Sequence, residues 1–214
     1  MHTIFLAQNC LYKDRSQFSF SLNCDMDKEM LTEIPEEFYS ASTGSLFDKC
    51  IECDKNLLDG DTEYLIEKAV KNYPGYKAKD VLFDYAICME CATKMHKKMS
   101  KESLATIQEY FEQNIDFQSK MEAVESGDMD RLTQNCLIKN TPKSESAEFQ
   151  LYAHCRGDKL FMGNPPYVIC GEAMEEVMEL LSKSTKDELG GFFNKHFSPD
   201  PDLFEKDPSR LILI

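Results

Sequence analysis

Two C-x-x-C pairs constrain this chain more than any other feature: Cys50 and Cys53 in KCIECDKN, and Cys88 and Cys91 in AICMECATKM. A C-x-x-C turn places two sulfurs close enough to bind one ion. Two such turns supply the four thiolates of a tetrahedral zinc site, with no position left for water. The spacing is C-x2-C-x34-C-x2-C, longer than is usual for a ribbon. Doubling a loop adds only about 0.6 kcal/mol of closure entropy, and structural zinc contributes on the order of 10 kcal/mol, so the length is tolerable. The residues alone leave three other readings open: redox-active dithiols, buried inert thiols and an iron–sulfur cluster.

The interval between the pairs has its own pattern. TEYLIEKAV is followed by a Pro-Gly turn signal in NYPGYKAKD, and then Val81, Phe83, Tyr85 and Ile87 alternate along VLFDYAIC. That pattern predicts a β-hairpin. After the second pair the period changes, with Cys91, Met95 and Met99 recurring at helical spacing. Turn with C-x-x-C, hairpin, then C-x-x-C at a helix start: residues 49–99 resemble the treble-clef zinc finger. Beyond them the chain is similar, at most, to a bacterial-type zinc-finger protein. The resemblance implies one structural zinc ion held by Cys50, Cys53, Cys88 and Cys91. The helix dipole would favour the thiolate forms of Cys88 and Cys91.

Treble-clef scaffolds also carry HNH-type nucleases, which need a general-base histidine at the hairpin and another on the helix. Residues 54–87 contain no histidine, and His96 lies off the Met95/Met99 face, so a degenerate HNH-type enzyme stays an alternative only. Lys94, Lys97, Lys98 and Lys101 concentrate positive charge and form a possible anion-binding face. The competing reading is a solvated helix face that balances an acidic protein. No catalytic residue is expected. His154 and Cys155 are neighbours on one strand and so point to opposite faces. Cys155 and Cys170 read as buried thiols, and His196 as a packed histidine.

The rest of the chain predicts an α+β fold, with a C-terminal β-hairpin/helix unit added to the zinc finger. Phe18, Phe20, Leu22 and Cys24 alternate as a strand, and Asp25 caps a short helix through MDKEMLTEI up to Pro35. Ser100 precedes a helix striped by Leu104, Ile107, Phe111 and Ile115. Phe149, Leu151, Ala153 and Cys155 share a strand face before the turn Arg156-Gly157-Asp158-Lys159. Met174, Val177, Met178 and Leu181 mark one helix, and Thr185 with Glu188 suggests a capping box for another. No internal repeat stands out. The expected divisions are an N-terminal region 1–48, a zinc-finger region 49–127 and a C-terminal unit 148–214, with a linker near 139–147.

The net charge of −14 repels phosphate backbones, so the expected partner is a protein and general nucleic-acid binding is disfavoured. Nine cysteines cannot all pair internally, and no export signal or membrane-length apolar run is read, so a reducing cytoplasmic setting is expected.

Overall fold

The computed structural model describes residues 31–73, 75, 76 and 78–197. The expected strand at 18–24 and the terminal LILI lie outside the described residues. Six strands are described: β1 (Leu31–Glu33), β2 (Glu63–Asn72), β3 (Lys79–Cys88), β4 (Glu148–Arg156), β5 (Lys159–Phe161) and β6 (Tyr167–Cys170). Six α-helices accompany them: α1 (Met89–Lys98), α2 (Lys101–Asn114), α3 (Phe117–Ser126), α4 (Met129–Thr133), α5 (Gly171–Glu179) and α6 (Lys183–Phe197). The fold is α+β, built on one antiparallel sheet.

The sheet follows from the alternation in the sequence. β2 and β3 form the expected hairpin, with Glu67 opposite Tyr85 and Tyr64 opposite Cys88. β4 then pairs along the free edge of β2, with Glu67 opposite Tyr152 and Tyr64 opposite Cys155. The other edge of β4 is divided between β6 at Phe149–Tyr152 and β5 at Cys155–Arg156. The β4–β5 turn brings Gly157 to φ +55°, and a side chain there would also meet the Gly60 carbonyl oxygen at 3.0 Å. Both facts demand glycine.

Each sheet face is covered differently. Phe83 and Tyr85 pack against Phe192, Phe193 and Phe197 of α6, with ring centroids 5.1–5.7 Å apart. Lys68 points the other way, where its ammonium donates to the Tyr39 carbonyl. Burying aromatic rings of this size on both sides of a strand pair supplies most of the hydrophobic driving force.

Two expectations change. Leu31–Glu33, placed at the end of a helix, is instead strand β1, paired with β5. Helix propensity is a weak prior, and the open edge of β5 gives these three residues backbone partners that a lone short helix could not. The cap of α6 is Ser182 rather than Thr185: the Thr185 N–H donates to Ser182 Oγ at 3.3 Å. Thr185 Oγ1 instead accepts from the Ser100 N–H at 3.0 Å. The polar stretch after residue 115 is helical in α3 and α4, each capped by an aspartate side chain, Asp116 and Asp128. Residues 139–147 are tied to the sheet, since the Asn72 side chain donates to the carbonyls of Lys143 (2.8 Å) and Ser146 (2.6 Å).

The largest correction is that the chain does contain an internal repeat. Turn, strand, strand, helix, helix occurs as residues 49–56, β2, β3, α1 and α2, and again as residues 135–142, β4, β6, α5 and α6. A pseudo-two-fold axis passes between Glu67 and Tyr152 at the centre of the sheet. Across that row Tyr85, Glu67, Tyr152 and Tyr167 lie side by side, and the axis exchanges Tyr85 with Tyr167. The same axis relates the caps of α2 and α6. Ser100 and Ser182 meet Oγ to Oγ at 2.9 Å, and their N–H groups bond reciprocally to Thr185 (3.0 Å) and Ser103 (2.8 Å). The non-glycine residues with positive φ are Asp54 (+58°) and Asn140 (+54°), at equivalent places in the two turns.

Candidate metal centre

The first turn is built by its backbone. The Cys50 N–H donates to the Lys55 carbonyl, and the Asp54 N–H donates back to the Cys50 carbonyl, both at 2.9 Å. Closing so tight a turn requires Asp54 in the left-handed region, which a short polar side chain tolerates. The Ile51 N–H then bonds to the Ala86 carbonyl at 2.9 Å, fastening the turn against the end of β3. β3 delivers Cys88 to the N-cap of α1, and Cys91 follows within the first helical turn.

These elements bring the four predicted cysteines together. Their sulfurs all lie within 4.8 Å of one another. Cys53 and Cys88 are 3.8 Å apart, sulfur to sulfur, and the Cys88 N–H donates to Cys50 Sγ at 3.3 Å. Cys50, Cys88 and Cys91 are buried and Cys53 is exposed. The set is all sulfur, close and tetravalent, and can hold one metal ion with every coordination position filled by protein.

The electrostatics are unbalanced without a cation. Burial pushes the Cys88 and Cys91 thiols above the usual thiol range. The Lys55 backbone N–H pulls Cys53 below it. Four sulfurs crowded in a mostly buried space resist ionising together, and a divalent cation removes that resistance by compensating the charge. Nearby carboxylates are engaged elsewhere: Glu52 accepts from Lys195 and His196, each at 2.7 Å, and Glu90 pairs with Lys55 at 3.5 Å. Burial pushes the Glu52 carboxyl up, but the Lys195 and His196 hydrogen bonds outweigh it and leave the group lowered.

The lysine face behaves differently from the cysteines. Lys94, Lys97, Lys98 and Lys101 are all exposed, and they are not gathered around a common point. Lys98 pairs with Glu188 at 3.3 Å, and Lys94 and Lys98 line a groove that also holds Glu52, Asp187 and Glu188. Acidic neighbours therefore offset part of that charge. His154 and Cys155 occupy opposite faces as expected. His154 bonds Glu63 at 3.2 Å, while Cys155 is fully buried with its thiol pushed up to about 12. His196 is occupied by Glu52 rather than placed near a sulfur cluster.

One feature escaped the sequence reading: Cys136 and Cys170 are brought together in the second lobe, where the Cys170 N–H donates to Cys136 Sγ at 3.2 Å. A signal for it exists. Y-x-I-C-x-E occurs at Tyr85–Glu90 and again at Tyr167–Glu172, and Ser-Lys follows each at 100–101 and 182–183. All seven described cysteines are free thiols. Among the described residues no helix is long and apolar enough to cross a membrane. Comparison with protein-family models, curated proteins and solved structures finds no match for this chain.

Proposed function

We propose that this is a non-enzymatic protein-interaction module whose first lobe is a treble-clef zinc finger, with one structural zinc on Cys50, Cys53, Cys88 and Cys91. The observation that carries the reading is the four sulfurs within 4.8 Å of one another, two on a turn and two at a helix start. A closed all-thiolate shell leaves zinc no open position for water or substrate, so its role is to hold surfaces in place. Zinc fits better than iron because the two sulfur pairs come from a rigid turn and a helix N-terminus, the usual supports of a structural zinc.

The partner in this reading is a protein with a basic surface, matched to the net charge of −14. Affinity capture from the native host at low salt should return such a protein. Its retention should fall steeply as salt rises and vanish after zinc is stripped. Recovery of nucleic acid instead, lost when Lys94, Lys97 and Lys98 are reversed in charge, would overturn the protein-partner reading.

A further inference from the structure

Cys136 and Cys170 stand in the second lobe where Cys50 and Cys88 stand in the first. The Cys136 N–H donates to the Thr141 carbonyl (2.8 Å) and the Asn140 N–H to the Cys136 carbonyl (2.9 Å). These are the bonds that shape the Cys50 turn. The Leu137 N–H bonds to the Val168 carbonyl at 2.7 Å, as Ile51 bonds to Ala86. Cys170 caps α5 as Cys88 caps α1. Its N–H reaches Cys136 Sγ at 3.2 Å, against 3.3 Å for Cys88 to Cys50.

The other two ligand positions have changed. Lys139 stands where Cys53 stands, and Ala173 where Cys91 stands. The Lys139 side chain leaves the site to bind Glu176, which also accepts from the Tyr110 hydroxyl. Ala173 is fully buried and has no donor atom. Two sulfurs remain on the backbone plan of a four-sulfur site, each only 2% exposed.

We propose that Cys136 and Cys170 form a second metal site, which takes a thiophilic monovalent cation such as Cu(I) through two thiolates and is closed to zinc. Zinc requires about four donors in a tetrahedron, and this lobe provides half of them. Thiolates select Cu(I), a soft ion. Binding releases both thiol protons to solvent, forms two copper–sulfur bonds and changes no oxidation state. The product carries a single negative charge. Backbone N–H groups of Cys170 (3.2 Å) and Lys139 (3.5 Å) already point at Cys136 Sγ to meet part of it. The site does not depend on the first cluster, because no residue is shared.

The test is an anaerobic titration of the zinc-loaded full chain with Cu(I) presented by a competing chromophoric chelator, with zinc measured in parallel. One copper per chain, zinc unchanged and two sulfur neighbours in the copper X-ray absorption spectrum are expected. Cys170→Ser should lose the copper and keep the zinc. Failure to retain copper, uptake only as zinc leaves, or undiminished uptake by Cys170→Ser would overturn the proposal. If Cys170→Ser does not fold, the wild-type spectrum decides, since three or four sulfur neighbours place the copper at the first cluster.

Discussion

Stripping the metal from the first lobe, by a strong chelator or by Cys88→Ser, is expected to remove most of the stability of the folded chain. Structural zinc contributes on the order of 10 kcal/mol, and whole domains retain only about 5–15 kcal/mol. The sites of loss are specific. Cys88 ends β3, caps α1 and bonds Cys50, so one substitution releases the turn, the hairpin end and the helix start together. Without the ion, the buried thiols of Cys88 and Cys91 stay protonated and hold nothing. A fall in Tm of at least about 20 °C is expected, given roughly 2–4 °C per kcal/mol for a chain of this size. Hydrogen exchange should show protection lost first across Tyr64–Cys88. The pH dependence has a fixed sign, because protons compete with metal for thiolates: metal release and unfolding should coincide as pH falls. A Cys88→Ser chain that melts within a few degrees of wild type would show that the cluster is not what holds this lobe.

The second large effect is a gain. Lys139→Cys with Ala173→Cys should raise bound zinc from one to two per chain, because the repeat places those positions where Cys53 and Cys91 stand. The cost is small on one side: the Lys139–Glu176 pair is partly exposed, and such pairs are worth about 0–1 kcal/mol. On the other side Ala173 is fully buried, so an added sulfur must find space, and the new metal–sulfur bonds must offset that strain. Each single variant, with three sulfurs, should remain at one tightly held zinc. A folded double variant that still binds one zinc would break the equivalence of the lobes. The expected Tm shift is upward, since the added site closes the interval between Cys136 and Cys170.

How much of this was legible beforehand depends on the range of the signal. The cysteine quartet was legible because each pair is local, and a C-x-x-C turn fixes two ligands within four residues. The β2–β3 hairpin was legible from the alternation at Val81–Ile87, and the α2 stripe from Ile107 and Phe111, both fully buried. β1 was not, because three residues gain their strand character from a partner far along the chain. Strand β4 was expected, but its place beside β2 depends on non-local pairing that periodicity does not encode. The repeat was obscured at its most visible positions. Cys136 and Cys170 survive, but Lys139 and Ala173 erase the second C-x-x-C of each pair, and β5 is inserted between β4 and β6. What remains is backbone chemistry: two turns that need a left-handed Asp or Asn, and two serine caps that meet on the axis.

The most direct measurement is elemental analysis of the purified full chain combined with native mass spectrometry. One zinc per chain, bound by four sulfurs in its X-ray absorption spectrum and lost in Cys53→Ser and Cys88→Ser, is the predicted result. A folded chain without metal, with all four thiols of the first lobe open to alkylation, would contradict it.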